Sequence, residues 1–172
     1  LASAFAKAGR ELALVGGPVR DAFLGAQVHD LDFTTDAHPD QILEIVTPIA
    51  EAHWDMGRAF GTIGAQIKGE KVEITTYRAD VYDGATRKPE VSFGDSLEAD
   101  LTRRDFTVNA LAIRLPELVL VDPTGGIDDL VAKKLRAPQA ATQSFDDDPL
   151  RMMRAARFVS QLGFTLDDEA EW

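Results

Sequence analysis

No cysteine occurs among the 172 residues, which excludes a disulfide scaffold and every thiolate zinc site. Three histidines, His29, His38 and His53, are too few and too scattered to build a zinc site from imidazole. No apolar run approaches the roughly 20 residues that cross a bilayer as a helix, and no signal-peptide pattern is visible at the first residues. A soluble protein of a reducing compartment, the cytoplasm, is the expectation. Positive charge is also scarce: 18 Lys and Arg against 29 Asp and Glu leave a net charge of −11. A free-standing nucleic-acid coat needs a basic face, so any role with nucleic acid must use a local basic cluster or a region outside these residues. No internal repeat or low-complexity stretch is visible. What is present is ordinary globular composition, 45% apolar and 27% charged, with enough apolar side chain to offset the entropy of ordering. The length allows one domain, or one domain and part of a second.

The pattern alternates strands and helices. The chain opens in a helical pattern at Leu1, Phe5 and Ala8. Leu12 to Val15 reads as a buried strand running into Gly16-Gly17, and Pro18 suits the first position of a helix that Gly25 closes. Val28 to Thr34 alternates as a strand. Pro39 opens a helix with Ile42, Leu43, Val46 and Ile49 at helical spacing. Thr62 to Lys68 and Lys71 to Tyr77 form a hairpin about Lys68-Gly69-Glu70. Arg87 to Ser96 reads as loop, Leu97 to Leu115 as helix, Val119 to Val121 as a short strand and Pro123 to Gly126 as a turn. Beyond about residue 138 strands cease, and Asp148 to Gly163 reads as an amphipathic helix. The domains expected are a mixed α/β unit over 1–137 and the start of a helical region over 138–172. The open helical pattern at residue 1 and the closing Asp-Asp-Glu-Ala-Glu-Trp, which has no stop signal, lead us to expect a piece of a longer protein.

Five constellations can carry chemistry. Gly16-Gly17-Pro-Val-Arg20-Asp21 joins strand to helix by a tight turn that matches neither the dinucleotide nor the P-loop fingerprint. Two glycines before a helix still let an anion approach the backbone. Arg20, in the first turn, opposes the helix dipole unless an anion binds there. The plain alternative is a β–turn–α corner with Arg20 paired to a surface carboxylate. Asp30-Leu31-Asp32 on a strand points two carboxylates to one face about 7 Å apart, where they repel unless a cation lies between them. An EF-hand fails, because Thr35 and Gln41 occupy the positions that need Gly and Glu. A solvated strand face is the alternative. Glu73, between Val72 and Ile74, is a candidate third carboxylate, which the sheet would have to bring beside the pair; a solvent-facing Glu is the plain reading. Arg104, Asp105 and Asn109 lie in Arg-Arg-Asp-Phe-Thr-Val-Asn-Ala, with Asp105 and Asn109 as i, i+4 neighbours suited to sugar hydroxyls, or merely an exposed helix face. Asp148 caps a helix begun by Pro149, and Arg151, Arg154 and Arg157 advance along one stripe that either meets an anion or is simply solvated.

Taken in order, these motifs, with Asp122-Pro-Thr-Gly-Gly-Ile-Asp-Asp-Leu130 between the last two, resemble the class II tRNA nucleotidyltransferases. That family comprises the bacterial CCA-adding enzymes and their relatives, the bacterial poly(A) polymerases. The resemblance runs from about residue 12 to 164. It implies a nucleotidyltransferase head of α/β (α+β) type, a small mixed sheet backed by helices, followed by the start of an all-helical neck. It implies Mg²⁺ held by Asp30 and Asp32, with Glu73 as third catalytic carboxylate from its strand context. Gly16, Gly17 and Arg20 would lie at the triphosphate, and Arg104 and Asp105 at the ribose with Asn109 in the same motif. Asp148 and Arg151 would select the base, and Arg154 and Arg157 make further nucleotide contacts. The family usually has Glu-Asp where this chain has Asp147-Asp148. An Asp–Arg pair suits cytosine and adenine, which offer an amino donor beside a ring acceptor; uracil lacks the donor, and guanine presents both groups reversed.

The activity implied is template-independent CCA addition to the 3′ end of tRNA from CTP and ATP, with release of pyrophosphate. The segment Gly57-Arg-Ala-Phe-Gly-Thr-Ile-Gly64 looks like the CCA-adding version. The alternatives are a poly(A) polymerase, a relative adding only CC or only A, and, from another class, a nucleotide- or RNA-binding module without catalysis.

Overall fold

A computed structural model describes residues 1–25, 30–81, 90–138 and 165–166. Its centre is a seven-stranded sheet in the order β3-β4-β5-β2-β1-β8-β9. The strands are β1 (Leu12–Val15), β2 (Leu31–Thr35), β3 (Ala52–Trp54), β4 (Thr62–Ile67), β5 (Glu70–Thr76), β8 (Ala112–Leu115) and β9 (Val119–Val121). All neighbours are antiparallel except β2 and β5, which run parallel. That parallel pair requires a crossover, supplied by α3 (Pro39–Val46) and the β3-β4 hairpin. The small mixed sheet backed by helices is therefore as expected.

One face of the sheet is sealed. Leu12, Phe33, Ile63, Ala65, Val72 and Ile74 pack under α1 (Ala2–Lys7) and α3, with Phe5, Ile42 and Val46 fully buried. These are the alternate residues of each strand, as a half-buried sheet demands. Further along, α2 (Gly17–Phe23), a 3₁₀ turn at Thr107–Asn109 and α5 (Gly126–Ala132) enclose Val19, Phe106, Val108, Leu111 and Leu130. The opposite face is covered at one end only. There α4 (Leu97–Thr102) sets Leu97 and Leu101 against Ala13, Val15 and Ala112. From β2 to β3 this face stays open, and the candidate site lies there.

Three expectations change. Helix over 97–115 gives way to α4, a turn, and β8, an interior strand of the sheet between β1 and the edge strand β9. The Asp105 carboxylate accepts the Phe106 backbone N–H at 2.8 Å and the Asn109 amide at 3.1 Å, competing with helical bonding where a helix would have to continue. The apolar run after it then pairs with β1, a short buried strand that periodicity does not separate from a buried helix. The loop expected over 87–96 contains β7 (Glu90–Phe93), paired with β6 (Arg78–Val81). Strands also do not end at residue 138: β11 (Thr165–Leu166) pairs parallel with β10 (Lys134–Leu135). The remaining residues of the expected helical neck lie outside those described.

Candidate active site

The site grows from the register of two strands. Asp32 on β2 stands directly beside Glu73 on the parallel β5. Their backbone neighbours Phe33, Val72 and Ile74 are held in the sealed core, so the carboxylates must emerge on the open face. Between β2 and α4 lies a cavity of about 510 Å³, whose walls include Asp32, Glu73, Arg78, Arg103, Arg104 and Asp105. Thr62, Thr75, Asp100 and Asn109 complete its polar lining. It joins a carboxylate wall to a guanidinium wall.

Asp32 feels both. Its carboxyl is pushed up to about 6, first by burial, then by the Glu73 charge; Arg104 acts in the opposite direction and Asp30 adds a smaller upward push. Asp30 itself is exposed, at a bend just before β2 rather than within a strand. The structure thus sets Asp32 and Glu73 side by side and leaves Asp30 at the rim. Among the described residues no three His, Cys, Asp or Glu side chains close around a single point as a metal cage.

The guanidinium wall is organised by a buried acid that the sequence reading passed over. Asp100, 2% exposed, accepts the Arg78 backbone N–H at 2.9 Å and Arg104 Nη2 at 3.1 Å. Its signal was a carboxylate at the inward spacing Leu97, Asp100, Leu101 on an apolar helix face. Arg104 Nε is buried and has no hydrogen-bond partner among the described residues, which leaves a donor for an anion in this wall. Arg103 and Arg78 are also wall residues that were not singled out from the sequence.

Gly16 and Gly17 adjoin this wall. Gly16 has φ +72°, and a Cβ there would lie 3.4 Å from Arg104 Nη1, so glycine satisfies both the turn and the close guanidinium. A Cβ on Gly17 would lie 3.6 Å from Arg20 Nη2. Arg20 donates to Asn109 Oδ1 at 2.8 Å and to Asp21 at 2.9 and 3.0 Å. Arg20 is the fourth of the seven residues of α2, within both its first and its last turn, so the dipole conflict expected for it is largely offset. The Asp105–Asn109 pair survives without the helix expected to hold it, as the hydrogen bond across the 3₁₀ turn. Asp148, Arg151, Arg154 and Arg157 lie outside the described residues.

The turn carrying Asn109 is clamped from behind. Asp122 accepts the Gly126 and Ile127 N–H groups at 2.7 and 3.1 Å, and Asp129 accepts from Thr107 Oγ1 and from Arg136 Nε. A Cβ on Gly126 would lie 2.1 Å from the Thr107 carbonyl oxygen, so no other residue fits there. The Asp122 to Leu130 motif therefore positions the Thr107–Asn109 turn rather than lining the cavity.

Residues 12–136 match the family model of the poly A polymerase head domain. The chain belongs to that family. This head is similar to the CCA-adding enzyme of Latilactobacillus sakei subsp. sakei (strain 23K), 44% identical over 165 residues, covering 95% of this chain and 40% of the relative. The CCA-adding enzyme of Listeria monocytogenes serotype 4b (strain CLIP80459) is 42% identical over the same length, covering 41% of that protein. Among solved structures, the Bacillus stearothermophilus CCA-adding enzyme in complex with CTP superposes with a TM-score of 0.87 at 37% identity, covering 98% of this chain and 40% of that one. A tRNA nucleotidyltransferase complexed with a primer tRNA and an incoming ATP analog gives 0.79 at 32% identity, covering 99% and 47%. The chain spans about 40% of the length of the curated relatives.

Membership of this family implies use of a divalent metal. The donor set of this head fits one. Asp32 and Glu73 are hard oxygen donors, adjacent and mutually repelling, and a cation that takes two carboxylates and completes its shell with phosphate and water needs no closed protein cage. No helix among the described residues is long and apolar enough to cross a membrane.

Proposed function

We propose that this chain is the catalytic head of a CCA-adding enzyme, a template-independent nucleotidyltransferase that extends the 3′ end of tRNA from CTP and ATP in the cytoplasm. The observation that carries the reading is the Asp32–Glu73 pair facing Arg103 and Arg104 across one cavity. Carboxylates on one side and guanidinium groups on the other suit a triphosphate accompanied by a metal. The names of its relatives, and their complexes with CTP and with primer tRNA, support the same reading.

In the reaction the RNA 3′-oxygen attacks the α-phosphorus, the bond from that phosphorus to the pyrophosphate oxygen breaks, and pyrophosphate leaves. The hydroxyl proton passes to a carboxylate at the site, Glu73 or Asp30, and on to water. Mg²⁺ would be held by Asp32 with Asp30 and Glu73, and would supply neutralisation of the triphosphate and activation of the attacking oxygen. The chain's own residues bind and orient. Arg104, fixed by Asp100, and Arg20, fixed by Asn109, hold phosphate and sugar beside Gly16 and Gly17. Asp105 lies at the ribose, and Asp148 with Arg151 reads the base edge, with Arg154 and Arg157 as further nucleotide contacts.

Product length on a tRNA ending just before CCA tests this with the whole protein and Mg²⁺. Two additions with CTP alone and three with CTP and ATP support CCA addition. A long ladder with ATP alone reassigns the protein to poly(A) synthesis, and growth by only two C or only one A indicates a split-specificity relative. Nucleotide binding with no extension under any condition leaves a binding module.

A further inference from the structure

The open face continues past the carboxylates. Cross-strand register places Asp32, Glu73, Gly64 and Trp54 in one row over four adjacent strands, and directly paired residues point to the same side of a sheet. Gly64 has no side chain, and the Trp54 ring fills its place: a Cβ on Gly64 would lie 3.0 Å from Trp54 Cε3 and 3.7 Å from Trp54 Cβ. The indole thus lies over β4, one strand spacing from Glu73, roughly 5 Å. It remains 38% exposed on an edge strand, which leaves part of a large apolar ring open to a partner. Lys71, two residues before Glu73 and exposed on the same face, sets a cation beside it.

Resting on the nucleotidyltransferase reading, we propose that Trp54 is the stacking platform for the base of the RNA 3′-terminal nucleotide, with Lys71 facing its backbone phosphate. The spacing suits one nucleotide, since a base seated on the indole leaves its own 3′-hydroxyl free to reach Glu73 and Asp32. An indole accepts any base, which a site extending successive different 3′ ends requires, and the neighbouring lysine matches a polyanion. The incoming triphosphate occupies the guanidinium side of the cavity and the RNA end occupies the β3–β4 side.

The test is steady-state extension by the whole protein, with KM measured separately for RNA and for nucleotide. Trp54→Ala raises KM for RNA by about tenfold and leaves KM for nucleotide unchanged, whereas Trp54→Phe stays within about twofold of wild type. Gly64→Ala, whose methyl would stand 3.0 Å from Trp54 Cε3 and push the ring by a few tenths of an ångström, raises KM for RNA in the same selective way but by less. With an RNA whose terminal nucleotide lacks its base, wild type and Trp54→Ala have equal KM, a result that a merely structural role cannot produce. If wild type extends RNA and Trp54→Ala leaves KM for RNA unchanged, or if the penalty persists on the abasic end, the platform is overturned while the activity stands. A wild-type protein that extends no RNA overturns the underlying reading and this subsite with it.

Discussion

Strand β5 carries two surfaces on one backbone. Val72, Ile74 and Thr76 are buried against α3 or the loop before it, with Thr76 Oγ1 bonded to the Ala37 carbonyl oxygen. Lys71, Glu73 and Thr75, one residue out of step, face the open side, where Glu73 and Thr75 line the cavity. The difference shows how a small sheet holds charges together that repel. The sealed face supplies the stability, and the open face uses it to keep Asp32 beside Glu73 at a cost that a bound cation relieves. Mutations on the two faces should therefore separate cleanly into loss of folding and loss of chemistry.

The largest effect is expected on the open face. Asp32→Ala lowers RNA extension by roughly a thousandfold or more while the circular dichroism spectrum and melting curve stay those of a folded protein. The sealed face should give the converse. Ile74→Ala, at a fully buried position, lowers unfolding free energy in urea by roughly 2–5 kcal/mol, and the surviving folded protein retains its KM for nucleotide. If Ile74→Ala selectively raised KM, the separation of the two faces would be broken.

Asp100 is buried yet lines the cavity, and should show a mixed effect. Asp100→Ala removes the partner of Arg104 and of the Arg78 backbone, and is expected to raise KM for nucleotide about tenfold with a stability loss of about 1–3 kcal/mol. The smallest effect sharpens the electrostatic side of the comparison. Asp32 holds its proton up to pH about 6 in the folded protein, against its ordinary 3.8. Between those values the folded state binds more protons than the unfolded one. The contribution to stability is therefore complete below pH 3.8 and lost as pH rises through 6. In metal-free buffer Asp32→Asn should melt slightly above wild type at pH 7, with the gain vanishing near pH 4, and added Mg²⁺ should stabilise wild type but not the variant.

The two faces were unequally legible from sequence. The alternation in β4 and β5 and their Lys68-Gly69 hairpin are local features, and Lys68 and Gly69 both take the positive φ that such a turn needs. Asp32 and Glu73 stood out as carboxylates among apolar strand neighbours. Nothing local, however, distinguished the segment over 111–115 from a helix, because its pairing partner β1 lies about 100 residues earlier in the chain. The role of Asp100 and the inward turn of Arg103 were equally hidden, since both depend on how α4 docks on the sheet.

By itself the sequence determined the mixed α/β character and which residue types can meet a triphosphate, because these follow from composition, periodicity and spacing along the chain; the family was legible only through the resemblance that the ordered motifs carry. Only the tertiary structure decided that Glu73 lies beside Asp32 while Asp30 stays at the rim, that Arg104 leans on Gly16, and that Trp54 fills the place of a missing side chain on Gly64. Those facts depend on strand order, register and helix docking, which are set by long-range pairing and by the burial of the opposite face, and a slip of one residue in a strand would turn Asp32, Glu73 or Trp54 the other way.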